Sequence, residues 1–170
     1  EVSVLGGADT INGNEGNDVL IGGADGDLRL NGDNGNDVII GDNGKLLGLN
    51  VQPNLTVTTI QTTDSAVATG GADNIQGNAG DDLLLGGVGS DTIAGNSGND
   101  VILGDNANIF RLVGLNGVSG GALLTFSYDA AGTVKIIVRA FDLLDYTVPT
   151  SSVDDIGAND TIYGEAGDDT

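Results

Sequence analysis

Apolar residues fall in short runs at a fixed spacing along this chain. Residues 77–106 read GNAGDDLLLGGVGSDTIAGNSGNDVILGDN. The runs centred on Leu84, Ile93 and Ile102 recur every nine residues there, each entered through a glycine-rich turn that closes on an aspartate. Three ungapped units result, 77–85, 86–94 and 95–103, of the form G-x-x-G-x-D-x-U-x with U the apolar centre. The same form stands at 13–21 and 32–40. Between these lies a degenerate unit, GGADGDLRLN, with one extra residue and Arg29 near the U position. Shortened units occupy 6–12, 70–76 and 157–163, and a truncated one 164–170. Each x-U-x predicts a strand about 10 Å long, with U on one side and both flanks on the other. Glycine supplies the positive φ that so tight a turn needs. Strands this short have no stability alone, so neighbouring units must stack.

The flanks of U alternate between two kinds. Units at Asp18, Asp37, Asp82 and Asp100 carry apolar flanks: Val19 and Ile21, Val38 and Ile40, Leu83 and Leu85, Val101 and Leu103. Units at Asp9, Asp73, Asp91 and Asp160 carry Thr10 and Asn12, Asn74 and Gln76, Thr92 and Ala94, Thr161 and Tyr163. Two units therefore make one coil of 18 residues, with a polar and a greasy outer face and the U residues meeting inside. The phase is kept across two interruptions. The first block ends on the polar-face turn Gly41-Asp42-Asn43-Gly44 and resumes at Gly70, and the same happens between Gly104-Asp105-Asn106 and Gly157. The expectation is one continuous roll with repeat blocks at 1–44, 70–107 and 157–170 and excursions at 45–69 and 108–156. Two separate small rolls are the alternative, disfavoured because two coils bury little.

The excursions themselves read as β-structure. In 45–69, Leu55, Val57 and Ile60 alternate with Thr, predicting one or two strands with Pro53 at a turn or edge. In 108–156, residues 123–128 and 134–141 predict a hairpin, with further strands at 109–115 and 143–148. The fold class is thus all-β: a parallel β-roll of 18-residue coils with antiparallel excursions packed beside it. Eight exposed Val, Ile and Leu on the greasy face would exceed the apolar patch a soluble monomer usually shows. Excursion strands or a second chain are expected to cover it.

Composition sharpens this picture. The chain has 170 residues, 30 of them Gly, with 22 Asp but only 3 Glu and a net charge of −20. Asp favours turns and reaches hard cations, whereas Glu is the commoner choice on solvated helices. The charge argues against nucleic acid and anionic membranes as partners and for cations. His, Cys, Met and Trp are absent, which excludes disulfides and makes zinc a poor fit. No apolar run is long enough to span a bilayer, so no membrane insertion is expected. Without an initiator Met or a signal peptide, the segment reads as part of a longer or processed chain.

Stacked turns place one aspartate above another about every 4.8 Å. Bare carboxylates at that spacing repel and raise one another's pKa, so a cation between them is required. Asp oxygens and turn carbonyls make an all-oxygen cage suited to Ca²⁺; Mg²⁺ prefers a smaller octahedron and keeps its waters. The turns resemble the RTX (haemolysin-type) calcium-binding repeats. That resemblance implies a parallel β-roll with several calcium ions between turns. It also implies a secreted protein at the cell surface or outside the cell, exported by type I secretion: a toxin, protease, lipase, adhesin or S-layer component. Carried onto this chain, the implied ligands are Asp9, Asp18, Asp27, Asp37, Asp73, Asp82, Asp91, Asp100, Asp160 and Asp169. Asp42 and Asp105, in the GDN turns, are added to them. Asp33 and Asp81 read instead as solvent-facing turn residues. An EF-hand at 33–37 fails for want of flanking helices and a Glu at the twelfth position.

Catalysis finds little support. Gly117-Val118-Ser119-Gly120-Gly121 matches G-x-S-x-G by text, but a nucleophile elbow needs a helix and a His base, and the chain has no His. The expectation is no enzyme. The chain reads as a calcium-rigidified segment of a secreted bacterial surface protein, such as an adhesin stalk, extracellular fibre or S-layer component. The alternative is the export and folding roll of a secreted hydrolase or pore-forming toxin. Ser3-Val4-Leu5 resembles a strand without its turn, and 164–170 a turn without its strand, so identical chains could join head-to-tail as well as laterally through the greasy face.

Overall fold

The computed structural model describes residues 6–51, 54–63, 69–110, 126–128, 134–136, 140–143 and 158–170. In chain order the strands are β1 (Thr10–Glu15), β2 (Val19–Ile21), β3 (Arg29–Asn34), β4 (Val38–Ile40), β5 (Gly44–Val51), β6 (Asn54–Thr62), β7 (Asn74–Ala79) and β8 (Leu83–Gly87). They continue with β9 (Thr92–Ser97), β10 (Val101–Asp105), β11 (Ala107–Phe110), β12 (Phe126–Tyr128), β13 (Val134–Ile136), β14 (Ala140–Leu143) and β15 (Thr161–Ala166). No helix occurs among the described residues.

Alternate units lie on opposite sheets, as their flanks dictate. The polar units form a parallel sheet in the order β1-β3-β7-β9-β15, and the greasy units a second in the order β10-β8-β4-β2. The register is turn on turn: Ile75 pairs with Ile93, and Ile39 with Leu84. The U residues Leu20, Leu30, Ile39, Ile75, Leu84, Ile93 and Ile102 close on one another between the sheets, with Ile11 packed at the end. Burying such a side chain contributes roughly 1.5–3 kcal/mol, and the stack repeats that gain at every coil. Polar-side strands run six residues, not the three of x-U-x, because ladder pairing continues into the turn, as at Asn78↔Asn96.

The degenerate unit resolves into a bulge. Leu30, not Arg29, takes the U position and is fully buried, paired with Ile11. The N–H groups of Leu28 and Arg29 both donate to the Asp9 carbonyl, at 3.0 and 3.3 Å, so two residues oppose one. The extra residue is Leu28, 66% exposed. The phase recovers because the insertion falls between turn and strand, leaving Asp27 in place.

The excursions cover the greasy face. A four-stranded antiparallel sheet in the order β14-β11-β6-β5 is built from both of them. Ile60, Ala107 and Ile109 from this sheet form one buried cluster with Val38, Ile40, Leu83 and Leu85 of the roll, and Leu46, Val101 and Leu103 pack against it. Of the two covers expected from sequence, excursion strands or a second chain, the chain's own strands occupy the centre of this face. Cover thins at the end coil, where Val19 is 43% exposed. β12 and β13 pair as an antiparallel hairpin. Pro53, all but the first residues of the strands read at 109–115 and 143–148, and the serine of the G-x-S-x-G match lie outside the described residues.

Candidate metal centre

The turns stack in two lines. The turns that open at Gly13, Gly22, Gly32, Gly77, Gly86, Gly95 and Gly164 have left-handed backbone at their second and fourth residues, as at Asn78 (φ 77°) and Gly80 (φ 143°) in one turn and Asn96 (φ 74°) and Gly98 (φ 138°) in the next. Asn and Asp tolerate that region better than other residues with a Cβ, which accounts for the frequent Gly-Asn and Gly-Asp openings. At the fourth position a side chain is also excluded by its neighbour. A Cβ on Gly80 would lie 2.5 Å from the carbonyl carbon of Gly35 in the stacked turn.

The turn-closing aspartates form two continuous ladders. In the polar line, the backbone N–H of Asp9 donates to Asp27 Oδ1 (2.9 Å), Asp27 to Asp73 (2.6 Å), Asp73 to Asp91 (2.9 Å) and Asp91 to Asp160 (2.9 Å). In the greasy line, Asp18 donates to Asp37 (2.8 Å), Asp37 to Asp82 (2.7 Å), Asp82 to Asp100 (2.9 Å) and Asp100 to Asp169 (2.9 Å). One carboxylate oxygen of each later residue thus replaces a backbone partner that the turn lacks.

The other oxygen is left bare. Oδ2 of Asp18, Asp27, Asp37, Asp73, Asp82, Asp91 and Asp100 is buried and has no hydrogen-bond partner. Each lies where a Cβ on a glycine would stand, and for all but Asp100 the carbonyl oxygen of the first glycine one coil on converges on the same spot. A Cβ on Gly13 would meet both Asp18 Oδ2 and the Gly32 carbonyl oxygen at 2.7 Å. The same convergence joins Asp37 with Gly77 O, Asp82 with Gly95 O, Asp27 with Gly41 O, Asp73 with Gly86 O and Asp91 with Gly104 O. These are cradles that only glycine leaves open.

Burial dominates the electrostatics. Loss of hydration pushes the carboxyl pKa up at Asp27, Asp37, Asp100 and Asp160, and up to about 7 at Asp73, Asp82 and Asp91. The backbone N–H from the preceding coil opposes the rise; charges of stacked neighbours, such as Asp91 and Asp27 on Asp73, add to it. The sequence argument placed repulsion first, but desolvation is the larger cause. A buried anion in this state needs a proton or a cation. With five Lys and Arg against 25 acids, the cation must come from solution.

A divalent, oxygen-seeking ion fits the residues present. Among the described residues no three acidic side chains converge. The cage therefore has to be completed by carbonyls, an arrangement that suits Ca²⁺, with its six to eight flexible oxygen ligands, better than Mg²⁺. Asp9, Asp160 and Asp169 continue the ladders at their ends. Asp105 lies close enough to Asp91 to raise its pKa. Asp42 stands apart: its Oδ1 accepts the Gly71 N–H at 3.1 Å and its Oδ2 the Val88 N–H.

A further ladder escaped the sequence argument. The residue before each greasy-line aspartate forms a ladder of the opposite sense, in which the later N–H donates to the earlier side chain. Asn36 N–H donates to Asn17 Oδ1 (2.7 Å), Asp81 to Asn36 (2.9 Å), Asn99 to Asp81 (2.9 Å) and Asp168 to Asn99 (3.0 Å). Asp81 is thus a half-buried rung and not a solvent-facing residue, and the half-buried Asp33 accepts from Asn31 Nδ2 at 2.6 Å. The signal was the run of Asn and Asp at that one position.

Comparison with known proteins agrees with this geometry. A family model described as RTX calcium-binding nonapeptide repeat (4 copies) matches residues 3–28, 29–45, 67–102, 85–108 and 157–170, more than half of the chain. No curated protein and no solved structure matches it. Glycine-built turns, in-register aspartate ladders and the matched repeats lead to one conclusion: this chain belongs to the RTX calcium-binding nonapeptide repeat family.

Proposed function

We propose that this chain is a calcium-rigidified structural segment of an extracellular bacterial surface protein, an adhesin stalk, fibre or S-layer component, with no catalysis of its own. The observation that carries the reading is the set of seven buried aspartate Oδ2 atoms with no hydrogen-bond donor. Asp18, Asp27, Asp37, Asp73, Asp82, Asp91, Asp100, Asp160 and Asp169, with Asp9 at the end of its line, are the residues proposed to hold the ions. Bound calcium supplies positive charge and oxygen-ligand bonds between coils. The chain's own residues do the rest: the glycines admit the ion, and the Oδ1 ladder fixes the spacing of the turns.

Proteins built on these repeats are typically secreted, and the calcium level outside a cell fits the mechanism. Extracellular modules bind calcium at about 0.1–1 mM, so a chain in the cytosol stays expanded and exportable, then folds outside. Support for a stalk or fibre over a bare export roll comes from the cover sheet, which seals the greasy face with the chain's own strands. Head-to-tail stacking of copies is the assembly mode proposed for it. A calcium titration by calorimetry with circular dichroism tests the core of the reading. The expected result is binding of several ions with gain of β-structure, reversed by EDTA; unchanged β-structure in EDTA overturns it. Sedimentation against concentration tests the stacking, and a monomer at all concentrations removes that part.

A further inference from the structure

The two excursions leave and re-enter the roll in the middle of a turn, and at the first of them one carboxylate closes the gap. Gly41 and Asp42 belong to the departing limb, and Gly70, Gly71, Ala72 and Asp73 to the returning limb. Together they occupy a single turn. The Gly41 N–H donates to the Leu85 carbonyl (2.8 Å) and the Asp42 N–H to the Gly86 carbonyl (3.3 Å) in the next coil, while the Asp73 N–H donates to Asp91 Oδ1. Asp42 is 0% exposed. Its side chain reaches across the break, taking the Gly71 N–H of the returning limb on one oxygen and the Val88 N–H of the next coil on the other.

We propose that Asp42 is a positioning residue that latches the first excursion shut, holding two halves of a turn together so that neighbouring ion cradles are complete. Both halves contribute donors. The Gly41 carbonyl oxygen converges with Asp27 Oδ2, and Asp73 Oδ2 converges with the Gly86 carbonyl oxygen beside Gly41. Each pair sets one limb against a neighbouring coil, so slack between the limbs loosens both cradles without removing their ligands. The same latch sets the base of the cover sheet, because β5 begins at Gly44 and the Thr63 N–H returns to the Asn43 carbonyl at 2.8 Å. A buried carboxylate that accepts two backbone N–H groups makes strong, charge-assisted bonds, and its loss leaves both donors buried without a partner. The proposed role differs from the ion ligand expected at Asp42 from sequence, since both its oxygens accept backbone N–H groups. It rests on the calcium reading only for the cradles, not for the latch.

The test compares wild type, Asp42→Ala and Asp42→Asn in the full chain at saturating calcium, with Asp82→Asn as the ligand-loss control. Two quantities are read: calcium ions bound per chain, and hydrogen exchange of backbone amides in 44–62. Asp42→Ala is expected to keep the wild-type number of ions, with affinity lowered several-fold, while exchange in 44–62 speeds up at least tenfold. Asp42→Asn keeps one acceptor oxygen and falls between; it serves alone if Asp42→Ala does not fold. Asp82→Asn is expected to lose an ion with a smaller change in 44–62. Fewer ions bound by an Asp42 variant overturns the proposal, whatever the exchange does, and so does unchanged exchange. A wild type that folds without taking up calcium sinks the calcium reading alone, and the exchange comparison still decides the latch.

Discussion

Links within a repeat block and links across an excursion have the same geometry. The bond from Asp82 N–H to Asp100 spans 18 residues and that from Asp91 N–H to Asp160 spans 69, yet both measure 2.9 Å. Closing the longer link costs about 1 kcal/mol more in loop entropy, since that cost grows only with the logarithm of length. The cover strands offset this by burying Ile60, Ala107 and Ile109 on the greasy face. What the roll requires is donors and acceptors at one spacing in space, and continuity of the chain is secondary.

The comparison can be broken most severely at the shared core. Leu84 touches neither ladder but packs between both sheets. Leu84→Ala is expected to cost about 2–5 kcal/mol and to weaken links of both kinds together, measured by denaturant unfolding. A sharper version pairs Asp100→Ala, which removes the Oδ1 that serves a link over 18 residues, with Asp82→Ala, which removes one that serves a link over 45. Each is expected to lose on the order of 2 kcal/mol, and a difference between them well above the loop-closure figure would show that continuity does matter.

Acid should act oppositely with and without metal. Asp73, Asp82 and Asp91 have folded-state pKa values raised to about 7 from 3.8, so the metal-free roll binds more protons than the unfolded chain between those values. Its stability is then greatest below about 3.8 and is lost as pH rises through about 7. In EDTA, circular dichroism should show β-structure growing as pH falls from 7 to 4. In calcium the same acidification should release ions, because protons and metal compete for Oδ2. The smallest effect is expected at the bulge: Leu28→Ser should change stability by less than about 0.5 kcal/mol, since the side chain is mostly in water.

Much of this was legible in the sequence because stacking converts a repeat directly into a lattice. The alternation of Val19 and Ile21 with Thr10 and Asn12 assigned eight units to their sheets, since successive side chains of a strand point to opposite faces and the flanks therefore show what each outer face meets. The extra residue of the degenerate unit had no assigned place in the sequence, because the Leu28 and Arg29 N–H groups share the Asp9 carbonyl and only pairing shows which residue is extruded. The ladder through Asn17, Asn36, Asp81, Asn99 and Asp168 was missed although its run of Asn and Asp stands in the sequence, because the same acceptor oxygen appears there under two different letters. Asp42 was grouped with the ion-binding aspartates by residue type. Only the fold brings Gly71 and Val88 to its two oxygens.

The split turn at Gly41 and Gly70 also gives the roll a ready docking port for guest sequence. Both ends of the insert meet within one rung, and the aspartate ladder continues across 46 residues there as it does across 18 in the next coil. A designer could exchange the segment between Gly44 and Thr63 for a foreign loop or enzyme, keeping the latch and supplying an apolar patch for the exposed wall. The scaffold would then display its passenger only where calcium is present.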